Sequence, residues 1–280
     1  MKELLCKVNS LATPLYEKMP GWCFPDRPRR FHAYCVGTGK SGTVSIYLMF
    51  SKYRTQHEAE SRFIIPKVIA FNNGKMSTDE VIKYIKHRDK RLSLEMDSSA
   101  LNYFFIDILV DQFSNAKFIL TIRDCYSWLD SLINHTLSRP WIQQNKFNLH
   151  SHWTSLRKMV YNIGEKQHTS QEQVLCENGL ATLDGYFSYW AKHNQHILTT
   201  VPQERLFVVK TKEINSNISE IEKFIGVTSG SLLKIHGNTA RQKFNLLSKI
   251  DKIFLEERAN VHCGELMNKY FPEIKGFNIV

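Results

Sequence analysis

Apolar and polar positions along the chain predict a series of strands and helices in alternation. Lys117–Ile122 is nearly continuous in apolar residues, as a strand buried on both faces is. Four strands are predicted in all: Phe31–Val36, Leu92–Asp97, Lys117–Ile122 and Leu206–Lys210. Six helices show apolar faces at helical spacing: Val44–Tyr53, Ser99–Phe113, Tyr126–Leu137, Asp184–Thr199, Ser216–Ile225 and Ser248–Tyr270. This alternation predicts an α/β fold with a central parallel sheet flanked by helices.

Two segments lack this periodic pattern. Residues 1–30 are rich in proline and other turn formers and are predicted to be a variable N-terminal segment. Residues 140–180 are polar and His-rich, without a clean period, and are predicted to be an insertion. A length of 280 residues is compatible with one large domain. We therefore predict a single domain over residues 1–280.

Composition narrows the class of protein. Hydrophobic residues make up 42% and charged residues 23% of the chain, which is ordinary globular usage and excludes a disordered or fibrous protein. Lys and Arg number 37 against 27 Asp and Glu, a net charge of +10, which favours an anionic partner. No continuous basic run or reading motif supports nucleic acid as that partner. A phosphorylated small molecule remains the partner that the charge favours.

Location and metal binding are predicted from cysteine usage and hydropathy. The six cysteines form no C-x-x-C pair, so they indicate reduced thiols and no zinc site. No run of about 20 apolar residues is present, and the N-terminus lacks the apolar core of a signal peptide. We therefore predict a cytoplasmic protein that binds neither membrane nor metal.

The strongest local motif is the glycine-rich segment 37–43, GTGKSGT, between the first strand and its helix. Glycines allow a tight turn in which several N–H groups can point at one anion, and the following helix dipole adds positive charge. Lys40 adds a full positive charge, and Ser41, Thr43 and Ser45 add hydroxyl donors. An ordinary βα turn is the alternative. The lysine and the position after the first strand favour a phosphate site and a P-loop-like three-layer fold.

The motif departs from a nucleoside-triphosphate loop. A Walker A sequence needs a glycine five residues before the Gly-Lys pair, and Tyr34 stands there. Asp124, just beyond the third strand, is a candidate magnesium ligand. An ATP-dependent P-loop kinase therefore stays as one alternative, and a non-enzymatic nucleotide- or RNA-binding protein as another.

A second constellation follows the third strand. Arg123 leaves the carboxyl end of Lys117–Ile122, where α/β sheets place their ligands, and Ser131 lies two turns into the next helix. A guanidinium and a hydroxyl at these positions are suited to a second phosphate, separate from the one at the glycine loop.

The two motifs together resemble those of sulfotransferases that use 3′-phosphoadenosine 5′-phosphosulfate (PAPS). The family signatures are K-S-G-T, here residues 40–43, and R-D-P-x-x-x-x-x-S, here residues 123–131 with Cys125 in place of proline. The resemblance extends over about residues 31–225 and is greatest to bacterial small-molecule, natural-product members. It implies transfer of the sulfuryl group of PAPS to a hydroxyl or amine by in-line displacement, with 3′,5′-ADP as product and no metal.

The resemblance also assigns binding residues. Lys40 is the residue that would stabilise charge on the departing phosphate. The expected PAPS-binding set is Gly39, Lys40, Ser41, Gly42, Thr43, Val44, Ser45, Arg123, Ser131, Arg241 and Lys243. The last two belong to a basic cluster that stands for the family's late loop over the 3′-phosphate.

The acceptor must lose a proton as it attacks, so a positioned base is needed. Family members outside the animal cytosolic group use a Glu about twenty residues after the loop lysine, which favours Glu58, with His57 as its neighbour or as the base itself. Glu60 is a further candidate, and Asp97, beside Glu95 at the end of the second strand, is a second choice. The alternatives are a solvated loop at residues 57–60 and a helix cap at Asp97.

The acceptor is predicted to be a small molecule, a secondary metabolite in preference to a protein or polysaccharide. Its pocket is expected to be built from residues 60–90 and 140–180, and Trp141 and Trp153 flank the insertion. Pairs of histidines such as His193 and His196 have metal-ligand spacing but no partner acids or cysteines, which favours packing over metal binding.

Overall fold

The fold is taken from a computed structural model that describes residues 19–20, 23–138, 151–165, 167–235 and 242–278. The predictions for Trp141 and Arg241, for most of the N-terminal segment and for residues 140–150 of the insertion lie outside these ranges.

The sheet is parallel throughout and confirms the predicted α/β fold. Its five strands are β1 (Ala33–Cys35), β2 (Thr55–His57), β3 (Met96–Ser98), β4 (Lys117–Ile122) and β5 (Leu206–Lys210), in the order β2-β3-β1-β4-β5. The helices of the described residues are α1 (Thr43–Met49), α2 (Ser61–Asn72), α3 (Thr78–Leu92), α4 (Ile106–Gln112), α5 (Cys125–Leu137), α6 (Ser151–Tyr161), α7 (Gln173–Glu177), α8 (Leu183–Thr200), α9 (Ile218–Ile225) and α10 (Lys252–Tyr270).

The three layers follow from side-chain alternation along the strands. Tyr34 and Phe118 point to one face, where their rings stack at 5.6 Å and pack with α2, α3 and α4. Cys35 and Ile119 point to the opposite face, against α1 and α9. A further apolar cluster around Trp128 joins α5, α8 and α10. Both faces of the sheet are therefore covered, which is why its central strands are apolar at successive positions.

The region before β3 differs from the prediction. Leu92 belongs to α3 and not to a strand, because α3 begins with a capping box between Ser77 and Glu80 and continues to that residue. The strand begins only at Met96, so Glu95 lies at its amino end. There it accepts hydrogen bonds from Arg30 at 2.9 and 3.0 Å, away from the edge where ligands bind.

The ends of other helices also differ from the prediction. The helix predicted over 99–113 is a 3₁₀ helix, Ala100–Phe105, followed by α4, because Ser99 caps the tighter turn through the Leu101 N–H. The last helix starts at Lys252, capped by Asp251, and not at residue 248. The predicted insertion contains helices α6 and α7, and residues 60–90 form α2 and α3.

The strand order places β1 and β4 side by side at the centre of the sheet. After β1 the chain crosses toward β2, on one side, whereas after β4 it leads to β5, on the other. Ligands of open α/β sheets bind outside the carboxyl ends of strands at such a switch point. In the described part of the chain, no helix combines the length and apolar character needed to cross a bilayer.

Candidate active site

The glycine loop, residues 37–43, joins the carboxyl end of β1 to α1 and is fixed from within. The Ser41 N–H and hydroxyl both donate to the Thr38 carbonyl, at 3.1 and 2.7 Å, and the Ser41 hydroxyl lies 3.0 Å from that of Thr121 on β4. A Cβ at Gly37 would lie 2.6 Å from the Ser41 hydroxyl and overlap Thr121. Only glycine fits there, so the loop is held against β4.

The loop is shaped to receive an anion. Lys40 and Gly42 have positive φ angles of 71° and 114°, which turn the chain sharply into α1. The N-cap residue of α1 is Gly42, which has no side chain to cap the first turn, so the N–H groups of that turn are suited to an external anion. A Cβ placed at Gly39 meets nothing within 4 Å, which indicates open space over the loop. This is a cradle for a phosphate-sized group.

Two side chains outside the motif hold the loop from outside. The Trp128 indole N–H donates to the Gly39 carbonyl at 2.8 Å. The Thr211 hydroxyl shares its single hydrogen between the Ser41 carbonyl and, at 3.1 Å, the Ile122 carbonyl, so it ties the loop to the end of β4. The sequence offered no local signal for either contact, because both partners come from distant segments.

Arg123 lies at the same edge as the loop. Its Nη1 group donates to the Lys40 carbonyl at 3.4 Å, and its Nε donates to the Ser127 hydroxyl at 2.9 Å. Burial lowers the pKa of the Arg123 guanidinium, while the carboxylates of Asp124 and Asp130 oppose that shift. The second predicted anion site therefore lies beside the first.

Ser131 lies on α5, and the segment around Lys243 packs against that helix. Ser131 follows Ser127 by four residues, so the two hydroxyls share one side of α5. The Phe244 N–H donates to the Asn134 side chain at 2.8 Å, which places the chain around Lys243 over α5, about one turn beyond Ser131. Of the predicted 3′-phosphate set, Arg123 thus lies just before α5, Ser131 lies on it, and Lys243 lies on a segment that contacts it.

His57 ends β2 and faces the glycine loop. Its Nε2 lies 3.1 Å from the Thr43 hydroxyl, and its neighbour in the sheet, Ser98, donates to the Thr43 carbonyl at 2.7 Å. Burial lowers the pKa of His57, the positive charge of Lys40 lowers it further, and Asp97 opposes both. His57 is therefore a neutral imidazole beside the candidate phosphate site at neutral pH.

Glu58 sits at the turn that follows β2. Its N–H donates to the Ser98 carbonyl at 3.0 Å, and its φ angle of 49° is in the left-handed region. Its carboxylate is close enough to Tyr189 to contribute to the raised pKa of that phenol. The turn thus places Glu58 between the strand edge that carries the loop and helix α8.

Glu60 and Asp97 are engaged elsewhere. Arg91 holds Glu60 through both carboxylate oxygens. The buried Arg88 donates to Asp97 at 2.6 Å, and its Nε lies 3.9 Å from Glu60. These four side chains form an ion-pair cluster beneath the turn.

Asp124 has a structural role. It caps α5, accepting from the Ser127 N–H at 2.9 Å and from the Ser127 hydroxyl. Its two oxygens are therefore directed at the helix and not at the loop. In the part of the chain that the structure describes, no three His, Cys, Asp or Glu side chains are grouped as metal ligands.

Comparison with known families agrees with this geometry. Residues 34–231 match the family described as the sulfotransferase domain. That span covers more than half of the chain, so the chain belongs to the sulfotransferase domain family, and the family resemblance of the two motifs is confirmed. No curated protein sequence matches the chain.

Similar solved structures are also sulfotransferases. A sulfotransferase from Alicyclobacillus acidocaldarius is 13% identical with a TM-score of 0.43, over 84% of this chain and 96% of the other. The sulfotransferase domain of the Synechococcus PCC 7002 olefin synthase is 13% identical with a TM-score of 0.38, over 80% and 85%. A sulfotransferase domain from the curacin biosynthetic pathway is 13% identical with a TM-score of 0.40, over 80% and 83%.

Proposed function

We propose that this sulfotransferase uses PAPS as its donor and transfers the sulfuryl group to a hydroxyl or amine of a small-molecule acceptor. The observation that carries the proposal is the contact at 3.4 Å between the Arg123 guanidinium and the Lys40 carbonyl. It joins two anion-binding features at one edge of the sheet. PAPS carries anionic groups at both its 5′ and 3′ positions, so it needs two such features on the same side of the protein.

The residues present fit that donor. The loop residues Gly39–Ser45 would hold the 5′-phosphosulfate, because the space over Gly39 is open and the first turn of α1 is uncapped. Arg123 and Ser131 would hold the 3′-phosphate, with Lys243 on the segment that crosses α5. Arg241, predicted to join them, lies outside the described residues.

The chain's own residues supply the rest of the chemistry. PAPS, when bound, supplies a sulfuryl group on a phosphate leaving group. Lys40 and the N–H groups of α1 stabilise the negative charge that develops on that phosphate. Glu58 takes the proton that the acceptor loses, with His57, 3.1 Å from the Thr43 hydroxyl of the loop, as the alternative base.

The two rival functions have weaker support. A kinase needs a magnesium ligand near the loop, and Asp124 is committed to capping α5. An RNA-binding protein needs a basic reading surface, whereas Arg30, Arg54, Arg88 and Arg91 are held in ion pairs with carboxylates.

Calorimetry with two nucleotides tests the donor. We expect 3′,5′-ADP to bind without added metal and more tightly than ATP with magnesium. Tighter binding of ATP–magnesium would replace the proposal with the kinase, and salt-sensitive binding of generic RNA without uptake of 3′,5′-ADP would replace it with the binding protein.

The acceptor is best found with isotopically labelled PAPS. Metabolite pools incubated with the protein and the labelled donor are expected to yield a small labelled product, read out by mass. Transfer of label only to protein or polysaccharide would contradict a small acceptor. The extent of one domain over residues 1–280 and the cytoplasmic location stay predictions.

A further inference from the structure

A cavity of about 410 Å³ lies between α2, the 3₁₀ helix Ala100–Phe105, α6 and α8. Its lining combines apolar and aromatic side chains, such as Val68, Phe71, Tyr103, Phe104, Met159 and Tyr189, with polar ones, such as Asn72, Asn162 and Lys192. Its polar rim includes Asp107 and His196, which lie 2.9 Å from each other. This volume and this lining suit a ring-sized organic ligand. The cavity draws on both segments from which the acceptor pocket was predicted, residues 60–90 and 140–180.

Tyr189 lies near both this cavity and the glycine loop. It lines the cavity, yet its ring lies 6.5 Å from that of Trp128, whose N–H donates to the Gly39 carbonyl. Burial raises the pKa of Tyr189 well above its ordinary value, and nearby Tyr161, Tyr103 and Glu58 raise it further. Tyr189 therefore keeps its proton at neutral pH and lies within electrostatic reach of the preferred base.

The direction of the Tyr189 hydrogen bond follows from its partner. His193 is fully buried, stacks on Tyr103 at 4.2 Å, and its Nε2 lies 2.8 Å from the Val36 carbonyl. A carbonyl only accepts, so Nε2 carries the hydrogen. Burial lowers the pKa of His193 to about 3, so the ring is neutral and Nδ1 has no hydrogen. The Tyr189 hydroxyl, 3.1 Å from Nδ1, must therefore donate to it.

This arrangement leaves the Tyr189 oxygen able only to accept. Its single hydrogen is used toward His193, and its lone pairs remain for a ligand. Val36, which fixes the histidine, is the residue directly before the glycine loop, so the orientation of Tyr189 is tied to the loop itself. A buried acceptor-only oxygen favours ligands that bring a hydrogen-bond donor and disfavours analogues that lack one.

We propose that the cavity is the acceptor pocket for a ring-containing molecule, and that Tyr189 selects this molecule by accepting a hydrogen bond from one of its O–H or N–H groups. This inference rests on the proposed function. Tyr189 touches the acceptor and sets specificity, and His193 is the positioning residue that fixes the Tyr189 hydroxyl. The nucleophilic group of the acceptor gives its own proton to the base near the loop.

A larger hollow, of about 610 Å³, shares Tyr103, Lys192 and His196 with this cavity but opens between α8 and α10. Its other lining includes His262 and Glu265, which belong to α10. Tyr189 is not among the described residues that line it, so it has no comparable connection to the loop and is not the site proposed.

Three probes of similar shape test the selection by calorimetry: 2-naphthol, which carries a donor, and naphthalene and 2-methoxynaphthalene, which do not. One neutral hydrogen bond corresponds to about threefold to tenfold in affinity. We expect wild-type protein to bind 2-naphthol more tightly than both analogues by about that factor. Tyr189→Phe keeps the ring and removes the oxygen, so its preference should fall to about one. Phe104→Leu, the matched control in the same wall, should weaken all three probes alike and keep the preference.

Met159→Trp tests the location, because a larger side chain in the cavity should abolish binding of all three probes. Thermal melting of each variant verifies folding. The inference is overturned if wild-type protein binds no probe or binds all three equally, if Tyr189→Phe keeps the preference, or if Met159→Trp binds as before. A separate titration with 3′,5′-ADP distinguishes the two proposals. If 3′,5′-ADP does not bind, the proposed donor is wrong, whereas the result with the three probes still tests the pocket.

Discussion

Three non-glycine residues of the candidate site share an uncommon backbone conformation. Lys40, Glu58 and Glu60 have φ angles of 71°, 49° and 58°, in the left-handed region that costs a side-chain-bearing residue about 1–3 kcal/mol. Such residues persist only where surrounding contacts hold them, and they concentrate at functional sites. Here the loop is fixed by Ser41 and Trp128, and the turn after β2 by the Ser98 carbonyl and Arg91.

Replacement of Lys40 tests the charge at the loop. Lys40→Ala is expected to reduce the rate of sulfuryl transfer by about 10²–10³-fold, because the leaving phosphate loses its fixed positive charge. Turnover of the acceptor found with labelled PAPS is the measurement. Lys75→Ala, in the turn between α2 and α3, is the control and should transfer at the wild-type rate. Near-normal turnover in Lys40→Ala would refute the assigned role.

Glu58 and Glu60 form a matched pair two residues apart. Glu58→Gln should keep 3′,5′-ADP affinity and lose transfer, because an amide cannot take the acceptor proton. Glu60→Gln breaks the charge balance around Arg91 and Arg88, so it should lower the melting temperature and retain most activity. Turnover and thermal melting separate the two effects. An active Glu58→Gln would transfer the base role to His57.

At the scale of elements, the sequence predicts those helices and strands that have a strong local pattern of apolar residues. Lys117–Ile122 was correct to the residue, because a strand buried on both faces leaves a continuous apolar run. The strand β2 was missed because it is only three residues long, at the edge of the sheet and partly exposed. The helix α2 was missed too, since Pro66 lies inside it and weakens its helical signal.

The candidate site likewise contains residues that the local sequence pattern predicts and residues that it does not. Lys40 and Arg123 were placed correctly at one edge, because each follows a strong strand and parallel strands end together. Tyr189 and His193 were not predicted to act there. Their role depends on a bond to the Val36 carbonyl, far away along the chain, which no local spacing encodes. The histidine spacing that suggested a metal pair is explained by this burial and by the His196–Asp107 contact.

The amino-terminal part of α5 carries the prediction for the 3′-phosphate. Arg123→Ala and Ser131→Ala should each weaken 3′,5′-ADP by about tenfold or more, because charge-assisted or hydroxyl contacts to one phosphate are removed. Calorimetry is the measurement. Ser138→Ala, after the last turn of the same helix, should bind as wild type does. Unchanged affinity in both test variants would mean that the second phosphate is bound elsewhere.

At the scale of the whole molecule, the site draws on segments that fold together. The loop at β1, Arg123 after β4, Thr211 after β5 and His57 at the end of β2 meet at one edge, and His193 connects them to α8. Global stability and site geometry are therefore coupled. A change that charges the buried His193 should disturb the hydrogen bonds to both Val36 and Tyr189.

The pH dependence of unfolding tests this coupling. His193 has a folded pKa of about 3 and an ordinary value near 6.5, so between those values the unfolded chain binds one more proton than the folded chain. The contribution of His193 to the free energy of unfolding is fully present above pH 6.5. Below that pH it falls by about 1.4 kcal/mol per pH unit. Burial alone would raise the pKa of Glu95, yet hydrogen bonds from Arg30 and Arg54 lower it to about 2. Glu95 therefore reduces the free energy of unfolding only below about pH 4.5.

We therefore compare wild type and His193→Gln by urea unfolding between pH 6.5 and 4.5. The glutamine amide can still donate to the Val36 carbonyl but does not titrate. The free energy of unfolding of wild type should fall by about 2 kcal/mol more than that of the variant over this interval. This difference removes the contribution of His57 and of every other group that both proteins share. The variant should be less stable at pH 7.5 and closer to wild type at pH 4.5. Parallel pH curves for the two proteins would show that His193 is not buried as a neutral ring.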